Sequence, residues 1–191
     1  MQKQISQLNT GDFKRVAVIG CPGSGKTTLS KALAPVLGKK PVHLDKELWL
    51  TDWTEMPFER RQELHRSFIE RDDWLIDGMW RTHVESRIAR ATLVVWLDFP
   101  TELCLERVLL RKQNSGDVQR SDIADGCLEN DPNSDFDAFI NYIKHFNAEV
   151  RPLVQALLDK NESTTYLRLT TPEQVDEFFA FTQTLFDVGN K

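Results

Sequence analysis

Apolar positions along the chain fall into two alternating rhythms. Short, nearly continuous apolar runs bounded by glycine, proline or acidic residues occur at 15–19, 41–44, 74–77, 91–97 and 164–169. Runs of that length and composition predict buried strands, and the run at 91–97, apolar almost throughout, suits a central parallel strand covered on both faces. Between them the spacing lengthens to that of helices. Leu29, Leu33 and Leu37 recur at i, i+4 and predict a helix over 26–37, with Pro35 bending or shortening its last turn and Gly38 as its stop. Leu64, Phe68 and Ile69 mark one side of a helix over 58–71. Pro100 opens a helix reaching about Lys112. Phe136, Phe139, Ile140, Ile143, Val150, Val154 and Leu157 trace a long helix with an expected kink at Pro152, and 172–186 forms a closing helix. Three segments carry no such rhythm. Residues 1–14 read as a flexible lead-in, and 45–56 has no clear period. Residues 113–135, rich in Gly, Ser, Asn and Asp, form a mobile excursion too long to be a plain connection.

Strands alternating with helices predict a three-layer α/β fold around a five-stranded parallel sheet, in one domain. At 191 residues the chain is long enough to bury such a sheet between two helical layers. The net charge of −5 argues against broad nonspecific binding of nucleic acid, and no DNA-binding surface is evident. Cys21, Cys104 and Cys127 are far apart and odd in number, which indicates neither a zinc site nor a disulfide framework and suits a reducing cytoplasm. The polar first fifteen residues lack a signal-peptide core, and no apolar run is long enough to span a bilayer. His43, His65, His83 and His145 show no metal-ligand spacing and read as packing or surface residues.

The most specific signal is Gly20-Cys21-Pro22-Gly23-Ser24-Gly25-Lys26-Thr27, a complete G-x-x-x-x-G-K-[ST] between a predicted strand and a predicted helix. Glycines at 20, 23 and 25 let the backbone curl until its N–H groups converge on an anion, and the helix N-terminus adds positive potential. Lys26 is expected to reach the β- and γ-phosphates of ATP, Thr27 to ligate Mg²⁺, and Thr28 to donate to the α-phosphate. Cys21 reads as a small loop filler whose thiol the helix terminus could make oxidisable.

Other candidates lie at predicted strand ends, where ligands of parallel sheets bind. Asp77 could hold Mg²⁺ through water; capping the next turn is the alternative. Arg81 is placed to clamp an acceptor anion. Arg107 and Arg111 share one helical face, and a bound triphosphate would turn their mutual repulsion into a clamp, unless Glu102 and Glu106 neutralise them. Arg120 and Arg151 flank the excursion and could swing in on closure. Asp45 follows the second strand and could orient an acceptor hydroxyl and take its proton, or cap a turn. Trp49, Trp53 and Trp80 could stack on a planar ligand or simply pack.

The segments Trp74-Leu75-Ile76-Asp77-Gly78-Met79-Trp80-Arg81 and Asp98 to Arg111 resemble the corresponding strand ends of adenylate kinases, with Met79-Trp80 where those enzymes usually have Phe-Pro. A closer resemblance, at His43-Leu44-Asp45, Trp49, Trp53, Ile76-Asp77-Gly78, Arg120-Ser121-Asp122 and Asp125-Gly126-Cys127, is to the bacterial topology-modulation proteins, which are adenylate-kinase-like. The resemblance implies a P-loop NTPase fold of the nucleoside-monophosphate-kinase type. It also implies transfer of the ATP γ-phosphoryl group to a small acceptor, with a nucleoside monophosphate the leading class. Residues 45–71 would form the acceptor insert and 112–147 the lid. The alternative is an ATP-dependent regulator whose lid motion controls a protein or DNA partner. Acceptor identity and oligomeric state stay open.

Overall fold

A computed structural model describes residues 1–115, 119–131 and 134–188. Five strands, β1 (Arg15–Gly20), β2 (Pro41–His43), β3 (Trp74–Asp77), β4 (Leu93–Leu97) and β5 (Thr165–Leu169), form one parallel sheet in the order β2-β3-β1-β4-β5. The helices are α1 (Lys26–Leu37), α2 (Leu44–Glu47), α3 (Phe58–Ile69), α4 (Arg81–Arg90), α5 (Thr101–Ser115), α6 (Phe136–Lys160) and α7 (Pro172–Val188). This is the fold of P-loop kinases, with helices on both faces of the sheet.

The apolar strands explain the layering. Successive side chains on a strand point to opposite faces, so a run apolar throughout must be covered twice. Val16 and Val18 join Leu93, Val95, Leu167 and Leu169 under α1 and α7, packed on Leu29, Leu33 and Phe178. Ala17, Ile19, Val94 and Trp96 face the other way, onto Phe68, Ile88, Cys104, Ile143 and Val150 of α3 to α6. Both α1 and α6 run through their prolines, Pro35 and Pro152. Gly38 closes α1 in the left-handed region, φ 63°, with its N–H on the last carbonyls.

Three expectations are corrected. Residues 1–14 are not a free lead-in: Leu8 and Phe13 are buried, Phe13 lies against Phe178 and Phe186, and the Lys3 N–H donates to Tyr166 O at 3.0 Å. A polar segment with a few well-spaced apolar residues docks because those residues find the α1–α7 layer. Helix α4 was not expected. Its buried face is Val84 and Ile88 together with His83 and Arg87, so half of its inward stripe is written in polar letters. The excursion begins later than expected and is partly packed. Helix α5 extends to Ser115, and Ile123, Ala124 and Cys127 are buried against Trp49 and Trp53. Residues 116–118 and 132–133 of that expectation lie outside the described residues. No described helix is long and apolar enough to cross a membrane.

Candidate nucleotide and acceptor site

The loop after β1 curls as its glycines permit. Gly20, Gly23 and Gly25 have φ of 148°, 84° and 96°, and a Cβ on Gly23 would stand 2.2 Å from the carbonyl oxygen of Cys104 in α5. Lys26 is buried and its Nζ donates to Cys21 O at 3.0 Å, across the mouth of the loop. Ser24 Oγ, also buried, has no hydrogen-bond partner among the described residues, as expected of a cradle built to meet a ligand's oxygens. Cys21 is a buried filler: its hydrogen bond to Cys104 and its burial push the thiol pKa up, against an oxidisable thiolate.

Parallel register brings the metal candidates together. Asp77 ends β3 opposite Val18 of β1 and His43 of β2. Thr27 Oγ1 donates to Asp77 Oδ1 at 3.2 Å, and His43 Nδ1 lies 2.6 Å from Asp77 Oδ2. A hydroxyl beside a carboxylate, at the end of a phosphate cradle, fits a hard cation that keeps waters and takes its remaining oxygens from substrate. No group of three or more His, Cys, Asp or Glu side chains suited to a metal occurs among the described residues. His43, read from sequence as a packing or surface residue, instead contacts the candidate metal carboxylate. The strand register, invisible in the sequence, is what reveals it.

From the loop a cleft of about 1180 Å³ extends across the carboxyl end of the sheet. Its lining includes Pro22, Thr28, Asp45, Trp49, Trp80, Arg81, Arg107, Arg111 and Arg120. The arginines differ in state. Arg107 is half-buried, with its guanidinium 5.4 Å over the ring of Phe99 and no acidic partner among the described residues. Arg111 Nε is 2.8 Å from Glu129, which answers the question of neutralisation differently from the sequence: the carboxylate comes from the excursion, not from Glu102 or Glu106. Arg120 bridges Glu129 and Asp122, and Asp122 also holds Lys31 of α1 at 2.7 Å. Burial alone would push Asp122 up, but Lys31 and Arg120 together hold its carboxyl below the usual range.

One arginine is placed otherwise than expected, and another lies in the cleft but largely exposed. Arg151 is not in the cleft; its Nε donates to Asp98 Oδ1 at 2.8 Å, and Arg168 takes the other oxygen, so Arg151 helps neutralise a buried carboxylate. Arg81 does line the cleft, but it is 46% exposed and its nearest partner is Glu149 at 3.8 Å. A more deeply buried arginine in the cleft is Arg61 of α3, which sequence reasoning did not single out. It lines the cleft, is 8% exposed, pairs with Glu55, keeps an Nε with no hydrogen-bond partner among the described residues, and lies 5.1 Å over the indole of Trp80. It hid among the consecutive charges of Glu59-Arg60-Arg61, where it reads as solvated.

Asp45 accepts from Trp80 Nε1 at 3.0 Å. Its burial raises its pKa above the usual carboxylate range, opposed by Lys26, and the nearby Asp77 pushes the same way as burial. Behind Trp80, the fully buried Arg87 donates to the carbonyls of Gly78 and Met79 at 2.7 and 2.8 Å and lies 3.1 Å from His65 Nε2. Burial, with help from Arg87 and His83, pushes His65 down to about 3, so it is neutral and accepts that bond. His145 is exposed.

A family model described as an AAA domain matches residues 16–132, and the chain belongs to that family. No curated protein matches it. Among solved structures it is similar to shikimate kinase from Acinetobacter baumannii in complex with shikimate, at 17% identity and a TM-score of 0.59, covering 94% of this chain and 96% of that one. It is also similar to shikimate kinase from Bacteroides thetaiotaomicron, at 16% identity and 0.54, covering 91% and 98%. At such identities the likeness is one of fold.

Proposed function

We propose that this protein is an ATP-dependent small-molecule kinase that transfers the γ-phosphoryl group to a hydroxyl of an acceptor that also carries an anionic group. The observation that supports it is one continuous cleft with the phosphate cradle and Thr27, whose hydroxyl donates to the buried Asp77, at one end and Asp45, Trp80 and Arg61 at the other. The loop backbone at Gly20, Pro22, Gly23, Ser24 and Gly25, with Lys26 and Thr28, binds the ATP phosphates. Thr27 and Asp77 would hold Mg²⁺, which neutralises charge on the β- and γ-oxygens. Arg107 meets the charge that spreads over the transferring group, with Arg111 and Arg120 delivered from α5 and the excursion.

Asp45 acts on the acceptor. A carboxylate repels a phosphate nucleophile but accepts a hydrogen bond from a hydroxyl, and burial brings its basicity closer to neutral pH. A nucleoside monophosphate therefore fits through its ribose and phosphate together, with Arg61 and Arg81 on the anion. Residues 45–71 form the acceptor side and 112–147 the lid. The decisive experiment is an ADP-release screen of nucleoside monophosphates, nucleosides and small hydroxylated acids, with and without an anionic group. Acceptor-dependent ADP that vanishes in Asp45→Asn supports the reading. Tight ATP binding with no acceptor-stimulated turnover would instead favour a nucleotide-responsive regulator of the topology-modulation type.

A further inference from the structure

Trp80 is an anomaly. It is a bulky residue in the left-handed region, φ 38° and ψ 80°, directly before α4. A large side chain adopts that conformation at a cost in free energy, and it persists only where the surroundings over-determine it. Here they do. On its N-terminal side, Gly78 has φ 129° and passes so close to Leu44 that a Cβ would lie 2.8 Å from the Leu44 Cβ. The buried guanidinium of Arg87 grips the carbonyls of Gly78 and Met79. The indole is held as well: Arg61 lies 5.1 Å over it, and Trp49 packs at 5.3 Å with the rings tilted 57°. All this restraint aims one N–H at one oxygen, Asp45 Oδ1, at 3.0 Å.

Resting on the kinase reading above, we propose that Trp80 is the positioning residue for Asp45. Its indole N–H occupies Oδ1 and fixes the carboxylate plane, so that Oδ2, which accepts from no described residue, is the oxygen presented to the acceptor hydroxyl. Asp45 sits in the short helix α2 and would otherwise turn about its own side-chain bonds. An aspartate with both oxygens free offers two hydroxyl positions, and one with Oδ1 tied offers one. Reaction rate depends steeply on that placement. The same indole carries Arg61 on its face, so the group that meets the acceptor anion and the group that meets its hydroxyl are set by one rigid ring. Trp80 thereby fixes the spacing between hydroxyl and anion that the site accepts. It does so as a scaffold, through the N–H on Asp45 and the ring under Arg61.

The test has two parts. In the free protein, indole N–H resonances of ¹⁵N-labelled wild type and Asp45→Ala are compared, with the Trp80 signal assigned from Trp80→Phe or, should that variant not fold, from a specific label at position 80. A shift of the Trp80 N–H to the unbonded range in Asp45→Ala is expected; an unmoved signal overturns the proposal. In the second part, Trp80→Phe, which keeps a ring for Arg61 and Trp49 but has no N–H, is assayed with the acceptor found by the screen. Loss of a hydrogen bond to a charged group predicts a kcat lower by roughly ten- to a hundredfold, with ATP affinity unchanged. A kcat within twofold of wild type, or an equal loss of ATP affinity, overturns it. Should no acceptor be turned over by wild type, the kinase reading fails, while the resonance experiment still decides whether Trp80 holds Asp45.

Discussion

Gly23 offers the sharpest quantitative test of the phosphate loop, because its neighbour Gly25 supplies an internal control. Both lie at positive φ, 84° and 96°, where an alanine costs roughly 1–2 kcal/mol. They differ in surroundings. A methyl group on Gly25 would meet nothing within 4 Å, whereas one on Gly23 would stand 2.2 Å from Cys104 O and 3.0 Å from Val108 Cγ2. Nonbonded heavy atoms are most comfortable at about 3.5 Å or more, and the obstructing atom is helical backbone that cannot rotate away. Loop and α5 must separate, adding an overpacking cost of about 1–3 kcal/mol. Gly23→Ala should therefore cost about 2–5 kcal/mol against about 1–2 for Gly25→Ala. At about 2–4 °C per kcal/mol for a domain of this size, the Gly23 variant should melt several degrees lower than the Gly25 variant. Calorimetric or circular-dichroism melts of the two variants read this directly. Equal melting temperatures would mean that the loop does not press on α5 as described, and would remove the packing that ties the cradle to Arg107 and Arg111.

Lys26→Ala should keep the fold, losing one hydrogen bond worth about 1 kcal/mol, while abolishing acceptor-dependent ADP release; a well-folded variant with undiminished turnover would refute the loop's role. Arg107→Ala and Arg111→Ala should lower kcat more than they weaken ATP binding, and rates untouched in both would remove α5 from the transition state. His65, pushed down to about 3 by burial, has a folded pKa below its ordinary value of 6.5. The unfolded chain then binds the extra proton, so the stability linked to His65 is fully present above pH 6.5 and is lost as pH falls from there towards 3, at about 1.4 kcal/mol per unit. Urea unfolding at pH 7 and pH 5 should show wild type losing about 2 kcal/mol more than His65→Gln, which keeps an acceptor for Arg87 without the titration; identical losses would contradict a neutral buried imidazole.

What could be read in the sequence follows from how each residue's role is encoded. The boundaries of α1 and β3 were readable because glycine, lysine and a terminal aspartate punctuate apolar runs there. The phosphate loop was readable because its spacing is dictated by backbone geometry and so survives as a local pattern. Helix α4 was not, because burial of Arg87 is stabilised by partners outside its own helix, the carbonyls of Gly78 and Met79 and the ring of His65, and His83 is buried against the ring of His65. A polar residue buried by distant hydrogen bonds looks, in sequence, like a surface residue. The same reasoning covers His43, whose partner Asp77 is 34 residues away and is set by the β2–β3 register, and Arg61, whose neighbour on the indole is Trp80. Arg151 erred in the opposite direction. Its position beside the excursion suggested motion, but Asp98, which also carries Arg168, holds it at the sheet end.

The charge arrangement in the cleft bears on how a chain of net charge −5 can bind a polyanion. Arg107 and Arg111 stand one helical turn apart and would repel each other by a few tenths of a kcal/mol if both were bare. They are not both bare. Glu129 lies on Arg111 and Arg120, Asp122 on Arg120 and Lys31, and Arg107 is left with the face of Phe99. Three cations are thus held by two carboxylates in a partly desolvated cluster, with one net positive charge over. The carboxylates orient the guanidinium planes before any ligand arrives, which limits the rotamer entropy that ordering them on ATP would otherwise cost. On the proposed reading they would also limit affinity, since a triphosphate would gain only the difference between its own bonds to these cations and those of Glu129 and Asp122. Arg107, which has no acidic partner among the described residues, would contribute its full interaction. The division follows from the elements that carry the residues: Arg107 and Arg111 sit on α5, anchored to the sheet, while Glu129, Asp122 and Arg120 sit on the excursion. A movement of that excursion would break the pairs that cross to the helices, Arg111 with Glu129 and Lys31 with Asp122, while Arg120 would travel with its own partners and Arg107 would stay where it is.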